Sequence, residues 1–207
     1  MLGPTITKGS APKAPKSPLN ARDCFEIRAR HEIEPFQQGG LDGLCGLYSA
    51  INVLRLALHD SEPLNKAAAK YLLALGANFL DRKHALSSSF ADGMQVRRWH
   101  GLVRYLAKHA ATDAFTIEIE RPAFEGKPAI TGVFDWIDAS LAKNKPVLIH
   151  LDGALNHFSV VAASTPTTLQ LFDSSGHRFV RRANCGIRTC YHQIPPKALL
   201  RLSVQRR

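Results

Sequence analysis

The sequence predicts an α+β fold on two observations. Apolar residues recur at helical spacing through the first half of the chain, and short β-branched or aromatic segments separated by turn residues fill the second half. A third observation bounds the size of the problem. At 207 residues, 45% hydrophobic and 21% charged, the chain has ordinary globular composition and can bury a core without metal or disulfide staples.

Residues 1–22 are rich in Pro, Ser, Lys and Gly and contain no aromatic residue. They cannot bury enough surface to offset the cost of ordering, so a flexible basic tail is expected, followed by one domain over 23–207. After the glycines at 39, 40 and 43, Leu47, Tyr48, Ile51, Leu54 and Leu58 recur at helical spacing. Ala50, Val53 and Ala57 fill the other side, which predicts a central helix buried on most faces. A second helix is predicted from Pro63 to Phe79, with proline at a tolerated first-turn position. A third covers Met94 to His109, its apolar face formed by Val96, Trp99, Leu102, Val103 and Leu106.

FTIEIE (115–120) alternates and reads as a strand, and Phe134 to Ala142 as a short helix. Strands then follow at 145–152, 157–163, 168–173 and 178–182, separated by Gly, Asn, Ser and Pro. The closing segment ALLRLSV fits a strand or a helical turn. No internal repeat is present.

Several function classes fall away. No run approaches the roughly 18 apolar residues needed to span a bilayer, so no membrane association is expected. The N-terminus lacks an apolar core of the signal-peptide type, and Cys24, Cys45, Cys185 and Cys190 do not form a disulfide framework. Reduced thiols in a cytoplasmic setting are therefore expected, although delivery as an effector without a signal peptide stays open. No P-loop, dinucleotide fingerprint, H-E-x-x-H or EF-hand occurs, and no cofactor is expected. A metal is set aside as well: Cys185 and Cys190, with His177 or His192 nearby, lack the second pair of a zinc site. The net charge of +10 resides at the ends, with fifteen basic against seventeen acidic residues between Asp23 and Asp173. Basic ends without a binding motif read as solvated surface, leaving nucleic-acid binding as the alternative.

Chemistry converges on three residues. A glycine loop runs into the buried helix at Cys45, placing its sulfur at the first turn, where backbone N–H groups and the helix dipole stabilise negative charge. Flanking Gly43 and Gly46 are expected to let a substrate backbone approach. If the hairpin around Thr165-Pro166-Thr167 is symmetric about Thr165, His157 lies directly opposite Asp173, suiting an imidazole–carboxylate hydrogen bond. That is the base and orienting group a nucleophile needs. His150 is the one serious rival base. Each residue alone also fits a plain role: a core cysteine, an edge histidine and a turn aspartate.

A glutamine before Gly-x-Cys-Gly at a helix start, then a strand histidine, then an aspartate sixteen residues later resembles the papain-like cysteine peptidase superfamily. Asp173-Ser174-Ser175-Gly176 is similar to its Asn-Ser-Trp-Gly segment, and the likeness, over 36–176, is to compact bacterial leader-processing and effector peptidases. The resemblance implies a helical subdomain packed on an antiparallel sheet, a cleft between them, and a glutamine completing the oxyanion hole with the Cys45 N–H. The family's usual glutamine position is occupied by Gly39; Gln38, with Gln37 as the alternative, is expected to substitute through the glycine loop. Asp42-Gly43-Leu44-Cys45 also resembles the nucleophile loop of ovarian-tumour-type deubiquitinases, but Ser159 stands where that family places a carboxylate. The implied activity is hydrolysis of peptide or isopeptide bonds in a protein or peptide substrate. Glutamine deamidation, transglutamination or acyl transfer on the same triad, and a non-catalytic binding module, are the alternatives.

Overall fold

In the computed structural model, which describes residues 24–40 and 42–207, a short strand β1 (Phe25–Glu26) precedes four helices. These are α1 (Cys45–Leu58), α2 (Lys66–Asp81), α3 (Leu86–Asp92) and α4 (Val96–Ala110). Strand β2 (Phe115–Glu120) and α5 (Ile130–Leu141) follow, then β3 (Val147–Gly153), β4 (His157–Ser164), β5 (Thr168–Leu171) and β6 (Phe179–Arg181). The chain ends with β7 (Cys185–Gly186), β8 (His192–Gln193) and β9 (Leu200–Arg206). The fold is α+β. The tail expected over 1–22 lies outside the described residues.

The sheet runs β2-β9-β3-β4-β5-β6 with antiparallel neighbours. Strand β1 pairs with the end of β4, beyond the last residue that β3 reaches. Strand β8 pairs with the end of β3, and β7 runs parallel to β8. Helix α1 packs on β4 and on α2 and α4, so it lies between the sheet and the other helices. Its Leu47, Ala50, Val53, Leu54 and Leu58 are almost fully buried, as the two-sided apolar pattern requires. Leu102, Val103 and Leu106 of α4, and Val147, Leu148 and Ile149 of β3, complete that core. Gly76 lets α2 approach α1, because a Cβ there would overlap Leu47 Cδ1.

Several boundaries differ from expectation for local reasons. Helix α2 begins after Pro63, because the Asn65 side chain accepts the Ala68 N–H at 2.9 Å and caps the first turn. Helix α5 begins one turn earlier than predicted, at Ile130. The C-terminal segment is a strand: β9 satisfies its backbone against both β2 and β3. Helix α3 is absent from the sequence prediction, since its LSSSFAD carries no repeated apolar face. Among the described residues, no helix is long and apolar enough to cross a membrane.

Candidate active site

Cys45 is the first residue of α1 and is buried, its sulfur 3.9 Å from the Gly43 carbonyl. The loop before it is held by named bonds. Asp42 Oδ1 accepts the Leu44 N–H at 3.0 Å, and the Gly43 N–H donates to the Phe90 carbonyl at 2.7 Å. The two flanking glycines serve packing within the protein. A Cβ on Gly43 would lie 2.9 Å from the carbonyl oxygens of Ser89 and Phe90. One on Gly46 would lie 3.2 Å from Trp99 Cδ1 and 3.4 Å from Phe158. Trp99 Nε1 donates to the Gly46 carbonyl at 2.9 Å, and its ring packs on Phe158 with centroids 4.4 Å apart. An aromatic pair thus braces the first turn of α1 against β4.

His157 opens β4 and is buried, with Nε2 2.7 Å from Asp173 Oδ2. The Cys45 thiol is the ring's other polar neighbour and acts on its ionisation together with the carboxylate. Burial alone would lower the His157 pKa. Hydrogen bonding to the Asp173 carboxylate, with the Cys45 thiol and the charges of both groups, outweighs that and pushes it up to about 9.

Asp173 is equally buried, and burial opposes its ionisation. Hydrogen bonding to His157, the charge of that ring and the Ser159 hydroxyl nevertheless hold it below the usual carboxylate value. Its Oδ2 accepts from Ser159 Oγ at 2.5 Å, and its Oδ1 accepts the Ser175 and His177 N–H groups at 2.8 and 3.1 Å. Four donors surround the carboxylate, which fixes its orientation.

The pairing of His157 with Asp173 forms, but not in the expected register. Ser164 pairs with Leu169 and Thr165 N–H with the Thr168 carbonyl, so the turn is centred beyond Thr165. An irregularity between Val161 and Ala163 then takes back one residue, leaving Val161 opposite Leu171. The Phe172 N–H to Val160 carbonyl bond carries that alignment on, placing Ser159 across from Asp173. The net displacement is two residues, so His157 keeps its face and reaches Asp173 diagonally.

His150 is held elsewhere. Its Nε2 contacts Asn156 Oδ1 at 3.3 Å, its ring stacks on Phe158, and burial lowers its pKa. Gln38 ties the loop before Cys45 to the segment after Asp173: its Oε1 accepts from Ser174 Oγ at 3.0 Å and its Nε2 donates to the Asp42 carbonyl at 3.3 Å. Gln37 instead donates to the Pro35 and Asp173 carbonyls and lines a separate cavity that excludes Cys45. Cys185 is buried away from the site, and burial, then the neighbouring Cys190, push its thiol up to about 11. All four cysteines are free.

Three site features were missed in the sequence. Ser159 supplies a donor to Asp173. His177 sets its ring edge-on to His157 at 5.1 Å. A cleft of about 380 Å³ opens beside Cys45, lined also by Asp92, Gln95, Arg98, Asn156 and Phe158. The adjacency of Asn156 to His157 was the one signal available; the others depend on register or on how α4 packs. Ligand atoms of His157, Asp173 and His177 lie within 4.8 Å of one another, the residues best placed to hold a metal ion among those described. Metal binding there would compete with the His157–Asp173 hydrogen bond.

No protein-family model matches this chain, and no curated protein sequence matches it.

Proposed function

We propose that this chain is a papain-like cysteine peptidase, hydrolysing peptide or isopeptide bonds through Cys45, His157 and Asp173. The observation carrying the proposal is one buried imidazole hydrogen-bonded to a buried carboxylate, with a helix-terminal thiol among the neighbours that raise its pKa. Three remote chain segments converge to build that arrangement, and a core cysteine requires no such partners.

The Cys45 sulfur, its proton held on His157, attacks the carbonyl carbon and forms the C–S bond. The carbonyl electrons move to oxygen, where the Cys45 N–H and the Gln38 amide receive the charge. His157 gives its proton to the leaving nitrogen as the C–N bond breaks. Water then attacks the acyl-enzyme, losing a proton to His157, and the sulfur departs. The raised His157 pKa favours this order, because the ring holds a proton at neutral pH for the leaving amine. Asp173 keeps the ring aligned throughout.

Alkylation of Cys45 by iodoacetamide across pH tests the proposal. Wild type is expected to label rapidly below neutral pH, with His157→Ala slowed by about ten-fold or more. A wild-type rate rising only near the free-thiol value of about 8.5 and unchanged in His157→Ala would overturn it.

A further inference from the structure

We infer that the cleft beside Cys45 is a carboxylate-binding subsite in which Arg98 recognises an acidic group on the substrate. This rests on the proposed thiol chemistry, because the cleft matters only if Cys45 reacts. Five arginines are half-buried among the described residues: Arg30, Arg55, Arg98, Arg182 and Arg201. Four have partners within the protein. Arg30 pairs with Glu26, Arg182 with Asp138 and Arg201 with Glu120. Arg55 donates to the Glu34 carbonyl and lies over the Phe36 ring.

Arg98 enters none of the ion pairs formed by the described residues, yet it lines the same cleft as the nucleophile. A partly desolvated guanidinium without a carboxylate is a site for one, because its planar donors match a carboxylate bidentately. Asp92 shares the cleft but is exposed, so water screens its repulsion of a substrate anion more than it screens Arg98.

The carboxylate has two chemical sources: an acidic side chain beside the scissile bond, or the free end of a peptide chain. Haloacetyl probes separate them. N-iodoacetylglycine offers a terminal carboxylate, and N-iodoacetylglutamic acid α-amide a side-chain carboxylate. N-iodoacetylglycinamide and N-iodoacetylglutamine α-amide are the neutral counterparts. At low salt the full-length wild type is expected to react about ten-fold faster with at least one acid than with its neutral counterpart, in line with a charge-assisted hydrogen bond.

Whichever acid is preferred identifies the source. Arg98→Ala should bring the ratio of acid-probe to neutral-probe rates within the variant to one, and Arg98→Glu should invert it. Equal rates for acid and amide in wild type, or a preference that survives Arg98→Ala, would overturn the assignment. Failure of the thiol chemistry itself reads differently: neutral iodoacetamide would then label slowly and independently of His157. Thermal melts of both variants verify that they fold.

Discussion

Ser159 stands across the hairpin from Asp173, donating to its Oδ2 at 2.5 Å, while His157 reaches the same oxygen at 2.7 Å from two residues along β4. One carboxylate oxygen therefore serves both a hydroxyl and the His157 imidazole. Ser159→Ala leaves His157 as the sole side-chain donor to that oxygen. The expected cost is about 1 kcal/mol of stability, read from denaturant midpoints. Cys45 alkylation should slow several-fold, because the carboxylate orienting the ring is less firmly held. Ser159→Thr, which keeps the hydroxyl, should recover most of the rate. An alanine variant with wild-type stability and reactivity would show that the hydroxyl merely fills space.

The buried pair sets a pH window for stability. His157 rises from 6.5 unfolded to about 9 folded. Its contribution is therefore complete below about pH 6.5 and is lost as pH rises through 9. Asp173 moves the other way, so its contribution is present above its unfolded value of 3.8 and is lost as pH falls through the lower folded value. The stability gap between wild type and His157→Gln should be widest between these limits and narrow steadily toward pH 10. Urea melts at closely spaced pH values measure it, and a gap that widened with rising pH would contradict the assigned hydrogen bonds.

How much of this was legible depended on how local each signal is. Helices α1 and α4 bury continuous apolar faces, so Leu47, Leu54, Trp99 and Leu106 announced them. Strand β2 showed through its alternation, and β3 to β5 through β-branched or aromatic segments set between turn residues. Helix α3 did not, because its serines carry no periodic face and its role is backbone: the Ser89 and Phe90 carbonyls abut Gly43. Strand β9 stayed ambiguous because its partners, β2 and β3, lie far away in sequence.

The Cys45, His157 and Asp173 constellation was readable from residue type and spacing. The pairing of His157 with Asp173 was right for an incomplete reason: the turn lies further along than Thr165, and the irregularity near Ala162 restores the face but not the direct opposition. Arg98 was invisible for a different cause. Periodicity places it off the apolar face of α4, and only the packing of α4 beside α1 brings it to Cys45.

Gly43 couples Cys45 to the walls of the cleft beside it. A methyl group there would sit 2.9 Å from the Ser89 and Phe90 carbonyl oxygens and 3.0 Å from the Gly93 nitrogen, all backbone atoms that cannot swing aside. Gly43→Ala must therefore push the end of α3 away and strain the Gly43 N–H bond to Phe90. Overpacking of this kind costs about 1–3 kcal/mol. The displaced segment leads through Asp92 and Gly93 into α4, and the same shift moves Leu44 and Cys45, so cleft and sulfur should lose their alignment together. Iodoacetamide labelling should slow by about ten-fold, with a lower melting temperature. Gly40→Ala is the matched comparison, because nothing lies within 4 Å of its added methyl. It should label and melt as wild type does. If Gly43→Ala behaved like Gly40→Ala, the contact between α3 and the nucleophile loop would not be what positions Cys45.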